Sequence, residues 1–162
     1  MAGIYSVNTS ARLFEKLARS LDGFCAKPSE DGIFDVIFPL YHLREWICPD
    51  GYESYKGKPE ADLSEEEKLH AGLHEMPEYR IVRELCNSAK HYTSDSLTAR
   101  TNILQGFRAG FGRAGDSLGV THFLVDGREI RDIFFPVYKV YHAYFDGRKA
   151  SESRSTQPSI DT

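Results

Sequence analysis

No stretch of this chain approaches the roughly 18 consecutive apolar residues that a membrane span requires. The opening residues Met1-Ala2-Gly3-Ile4-Tyr5 lack the basic-then-apolar order of a secretory signal, so none is expected. Cysteine is scarce: Cys25, Cys48 and Cys86 are widely spaced and form no C-x-x-C. That excludes a zinc ribbon or a disulfide framework and makes a reducing, cytoplasmic setting the expectation. Positive charge is not in excess either. Lys and Arg number 20 against 24 Asp and Glu, for a net charge of −4. A surface that coats nucleic acid or anionic membrane throughout is thereby excluded. No P-loop and no G-x-S-x-G nucleophile elbow occurs, and no cofactor is expected.

What is present suits one folded domain. The 162 residues are 41 % hydrophobic and 27 % charged, too apolar for wholesale disorder. Leu13, Leu17 and Leu21 recur at helical spacing, which predicts a helix over 9–21 capped by Asn8, Thr9 or Ser10 and ended by Gly23 and Pro28. The stretch 33–48 reads as a more hydrophobic, central helix, capped by Ser29 or Asp31 and stopped by Pro49-Asp50-Gly51. Pro39 inside it predicts a kink or a late start. Ser64 with Glu67 forms a capping box that opens a short helix to about Gly72. Pro77 opens another that runs to about Tyr92.

After Thr93 the texture changes. Ser96 to Gln105 carries a partial strand signal, and Val120 to Val125 is the best strand in the chain. The five glycines between Gly106 and Gly119 read as a mobile hairpin tip, and Asp126-Gly127 as a tight turn. A last helix is predicted from about Arg128 to Phe145. The expected organisation is a single helical domain over 1–147 and a disordered tail over 148–162. The fold expected is mainly α: a bundle of four to five helices with a small antiparallel β-hairpin before the last. Asp35-Val36-Ile37-Phe38-Pro39-Leu40-Tyr41 also echoes Asp132-Ile133-Phe134-Phe135-Pro136-Val137-Tyr138, so two helices share one proline pattern.

Two polar strips interrupt these apolar helices. Arg80, Glu84, Asn87 and His91 lie at i, i+4, i+7 and i+11, with Arg83 and Lys90 beside them. Asp35, His42 and Glu45 form the other. Polar groups on apolar faces need partners, so His42 and Glu45 are expected to meet Arg83, Asn87 or His91. Such a meeting serves either as a buried network that fixes helix register or as a ligand or catalytic site. Trp46 is expected near the core's centre. The glycine loop contains a literal G-x-G-x-x-G at 110–115, but a helix does not follow it, which excludes a dinucleotide site. Arg108 and Arg113, with Arg100, make that loop locally positive and able to hold a phosphate. His70 and His74 stand at i, i+4 without a third ligand or an H-E-x-x-H order. The residues around them read as an exposed acidic segment, and no metal is expected.

The motifs His42-Leu43-Arg44-Glu45-Trp46 and Asn87-Ser88-Ala89-Lys90-His91-Tyr92 resemble a loosely defined set of uncharacterised bacterial and phage proteins. These carry a His-Leu-x-acid-Trp helix and an Asn-x-x-Lys-His-aromatic helix end, and look like helical bundles of the HEPN kind. The resemblance implies a metal-independent ribonuclease in which His91 takes a 2′-hydroxyl proton and Arg83 or Lys90 stabilises the phosphate. Active members pair an arginine with a histidine four to six residues on; here seven residues separate Arg83 from His91. The first expectation is therefore a non-enzymatic interaction or accessory protein, with an unknown protein partner or self-association. The ribonuclease, with RNA as partner, is the alternative. A small-ligand binder is the weaker third.

Overall fold

The computed structural model describes residues 6–90 and 100–155. Five helices and a small sheet make up the fold among these residues. They are α1 (Ser10–Ala26), α2 (Glu30–Ile47), α3 (Glu65–Glu75), α4 (Pro77–Lys90), β1 (Thr101–Gln105), β2 (Thr121–Val125), β3 (Arg128–Glu129) and α5 (Arg131–Ser155). Two single-turn 3-10 segments, Gly51–Ser54 and Glu60–Asp62, fill the link between α2 and α3.

Local chemistry sets most helix starts. Thr9 Oγ1 accepts from the Arg12 amide at 3.2 Å, and Ser29 Oγ from the Gly32 amide at 3.0 Å. The Ser64–Glu67 capping box is complete in both directions. Three ends lie further on than the sequence pattern suggested, that of α3 by three residues, from Gly72 to Glu75. α1 continues through Gly23 to Ala26 because Phe24 is buried one turn beyond Leu21 and carries the helix on. α5 continues past Gly147 to Ser155, so 148–155 are helical and not the start of a tail; residues 156–162 lie outside the described residues. Arg148 gives a reason for this. Its guanidinium reaches Glu66 of α3 at 3.0 Å and ties the added turns to the bundle.

Both helical prolines are tolerated inside continuous helices. Each removes one amide donor and frees the carbonyl four residues back. For Pro39 that carbonyl belongs to exposed Asp35. For Pro136 it belongs to Asp132, and the Arg128 guanidinium donates to it at 3.4 Å.

The core lies where α1, α2, α4 and α5 converge. Leu17, Leu40, Leu43, Val82, Ile133, Phe134 and Tyr141 are completely or almost completely inaccessible. Two tyrosines tie backbones across it: Tyr141 OH donates to the Leu40 carbonyl at 3.0 Å and Tyr79 OH to the Tyr41 carbonyl at 2.8 Å. Trp46 is not at this centre. It is half-buried against the cluster, and Leu43 and Ile47 take the inward positions instead. The antiparallel sheet, in the order β1-β2-β3, closes one end by inserting Phe123 and Val125. Asp126 and Gly127 adopt positive φ of 52° and 73°, the backbone of a two-residue hairpin turn. That turn creates β3, a short strand not foreseen in the sequence pattern, which pushes the start of α5 from Arg128 to Arg131.

Candidate functional site

The outer face of the α1–α2 hairpin carries a row of aromatic groups that are exposed at Phe34 and half-buried at Phe38 and His42. On α2, Phe34, Phe38 and His42 recur one turn apart. Their rings stack in sequence, at 6.5 Å and then 6.4 Å between centroids, the second pair within 1° of parallel. Phe34 is 46 % exposed, uncommon for phenylalanine. With Leu13, Lys16, Pro39 and Trp46 the row lines an open groove of about 370 Å³. His42 is positioned by Glu45, whose Oε2 lies 2.8 Å from His42 Nδ1, and its Nε2 sits 4.0 Å from Cys86 Sγ of α4.

Charge divides the two banks of this face. α1 and its C-cap supply Arg12, Lys16, Arg19 and Lys27, with Glu15 paired to Arg12; α2 supplies Asp31, Asp35 and Glu45. A second hollow of about 470 Å³ continues the groove, sharing Lys16 and Asp35 with the first. The ion pairs made on this face among the described residues stay within one helix, Arg12–Glu15 and His42–Glu45. Lys16, Arg19, Lys27, Asp31 and Asp35 make none there, although acid and base line the same groove.

The polar strip of α4 goes elsewhere. Glu84 binds Arg100 at 2.8 Å, and Arg100 also takes both carboxylate oxygens of Asp126, at 2.8 and 2.6 Å. Arg83 is half-buried and Asn87 exposed; among the described residues neither is bonded to His42 or Glu45. The link between α2 and α4 at His42 is Cys86 instead. The α4 residue Cys86 is itself buried, as a small hydrophobe, and so sits where a helix contact needs it. Lys90 closes α4, and His91 lies outside the described residues.

No family model, no curated protein and no solved structure matches this chain. The HEPN-like resemblance accordingly rests on its two motifs.

Two further polar sites were not foreseen. Between the Gly51–Ser54 turn and α3 lies a cavity of about 550 Å³ lined by Tyr52, Tyr55, His70, Ala71, His74 and Glu75. His70 is buried there, against the exposed acidic segment expected around it, with Nδ1 2.9 Å from Tyr55 OH. Burial first, then the nearby Arg44 charge, holds its pKa down at about 4, so the ring is neutral at pH 7. Among the described residues no group of three or more His, Cys, Asp or Glu side chains is arranged to hold a metal.

The second site is a buried ionic cluster under the glycine loop. Arg131, at the start of α5, binds both oxygens of Asp116 at 2.8 and 3.0 Å and Glu129 Oε1 at 2.9 Å. Glu129 Oε2 also accepts the Arg131 amide at 2.9 Å. Arg113, expected to face a phosphate, instead pairs with Asp132 and stacks over the Phe135 ring at 5.1 Å. The Arg131 hydrogen bonds hold Asp116 down at about 2, whereas burial raises Glu129. Arg108 is exposed, and its Nε donates to the Gln105 carbonyl at 3.3 Å. His122 lies fully buried on β2 beneath Phe111, and neither ring nitrogen has a partner among the described residues. The available signal was Glu129-Ile130-Arg131 directly after a hairpin turn: two charges too close to the best strand to be solvated.

Proposed function

We propose that this chain is a non-enzymatic interaction protein that works through the outer face of its α1–α2 hairpin. The observation that carries the reading is the stacked row Phe34–Phe38–His42, open to solvent at Phe34 and half-buried at Phe38 and His42, between two banks of charge that find no partners across the groove. Aromatic side chains flanked by polar rims are the usual anchors of protein interfaces. The competing polar sites are better satisfied internally: Arg113 and Arg131 are occupied by carboxylates.

A photo-crosslinking residue placed at Phe34 tests this, beside the same residue at exposed Glu60. Protein adducts formed from position 34 and not from 60 are expected. Equal or absent adducts at both positions would sink the reading. The ribonuclease alternative has its own assay. RNA cleavage by the wild type that is lost in His91→Ala would put catalysis first, with Arg83 as the electrostatic partner.

A further inference from the structure

We infer that the occupant of the α1–α2 face is a second copy of this chain, docked about a two-fold axis parallel to the two helices. The inference rests on the interaction reading above and names the partner. Such an axis lays α1 of one copy over α2 of the other at the same height along the groove. Basic bank then meets acidic bank. Lys16, Arg19 and Lys27 all line one hollow with Asp31 and Asp35. In the dimer each base faces the partner's acid at that level, and both sets of charges left unpaired within one chain are matched. The alternative two-fold, perpendicular to the helices, sets α1 against α1 and opposes like charges.

Size agrees. The 17 residues of α1 span about 25 Å at about 1.5 Å per residue, and two helices side by side cover about 20 Å. The face is therefore about 500 Å² per copy, or about 1,000 Å² in total, the size of a weak, concentration-dependent interface rather than an obligate one. The row Phe34–Phe38 supplies its apolar centre, and Trp46 lies at one end of the groove as a built-in reporter.

Sedimentation velocity of the full chain tests the inference, between about 1 µM and about 500 µM, a range that brackets weak to moderate dimers. The expected mass rises with concentration from 18.4 kDa to twice that value, with a concentration-dependent blue shift of Trp46 emission. Lys16→Glu with Arg19→Glu should weaken association at least tenfold by placing acid against acid. Adding Lys27→Glu, Asp31→Lys and Asp35→Lys in the same chain reverses both banks and should restore it. All five positions are exposed or half-exposed, so circular dichroism should be unchanged throughout. A mass of one chain at every concentration overturns the inference, as does association that the Lys16/Arg19 reversal leaves unaltered. If the wild type is a monomer but still crosslinks from position 34 to another protein, the interaction reading survives. If it is a monomer and does not crosslink, both fail.

Discussion

The glycine-loop cluster and the α1–α2 face use the same materials in opposite ways. Under the loop, Arg131, Asp116 and Glu129 are nearly inaccessible and bonded to one another through 2.8–3.0 Å contacts. On the hairpin face, Lys16, Arg19, Lys27, Asp31 and Asp35 line a groove without pairing. The difference is desolvation. Charges removed from water must be matched within the chain or the fold loses several kcal/mol, whereas charges in water can wait for a partner. The cluster therefore serves the fold, pinning a loop of five glycines to the start of α5. The face is the region with chemistry still to spend on another molecule.

The sharpest way to break this contrast is to remove Arg131. Arg131→Ala leaves Asp116 buried without a cation and Glu129 with only Arg113, at 3.9 Å, and should lower unfolding free energy by about 3–5 kcal/mol. Urea denaturation measures it. Combining it with Glu129→Leu should recover part of the loss, because one orphaned carboxylate is then gone. A loss below about 1 kcal/mol for Arg131→Ala alone would mean that water enters the cluster and that the two regions do not differ as described.

A second test uses pH. The folded-state pKa of His70 is about 4, below the ordinary 6.5. Between these values the unfolded chain binds a proton that the folded chain refuses. The stability from its neutral, Tyr55-bonded ring is thus complete above pH 6.5 and falls as pH drops toward 4. From pH 7 to pH 5 the expected loss is about 2 kcal/mol. His70→Gln should flatten that slope, and an equal slope in the variant would assign it to other groups.

The helical part of the architecture was legible because helix periodicity and caps are local. Thr9, Ser29 and the Ser64–Glu67 box open α1, α2 and α3 as their side chains predict. The aromatic row was half legible. His42 and Glu45 were visible as a polar strip, but the strip faces outward and bonds to itself, because α4 presents Cys86 there rather than Arg83. Trp46 was placed too deep since spacing along one helix does not say which face α1 covers. The ionic cluster was illegible for a different reason. It joins Asp116, Glu129 and Arg131 through a loop whose path no periodicity encodes, and Arg113 could be read only as loose positive charge.

A smaller test concerns His122, whose two buried ring nitrogens have no partner among the described residues. A buried polar group left unsatisfied costs about 1–3 kcal/mol, and an apolar replacement of similar size avoids that cost. His122→Leu should raise unfolding free energy by about 1 kcal/mol, after some loss of contact with the Phe111 ring. A decrease of similar size would reveal a hydrogen bond to the ring, and would make this histidine a working member of the cluster beside Asp116.

The smallest effect belongs to the open face and compares two aspartates directly. Asp35 is exposed on α2 and makes no ion pair among the described residues; Asp116 is half-buried as a residue, and its carboxylate holds Arg131. Asp35→Asn removes a charge that the monomer does not use, so its unfolding free energy should stay within about 0.5 kcal/mol of wild type. Asp116→Asn keeps the shape but takes the matching charge from a buried guanidinium, and should cost several times more. The pair should be measured at low protein concentration, where association does not add to apparent stability. At high concentration the order of sensitivity should partly reverse: Asp35→Asn then loses the stabilisation that mass action lends to a dimer, whereas Asp116→Asn keeps it. If Asp35→Asn instead cost as much as Asp116→Asn in the dilute monomer, Asp35 would already be serving the fold, and the hairpin face would have no unpaired charge to offer a partner.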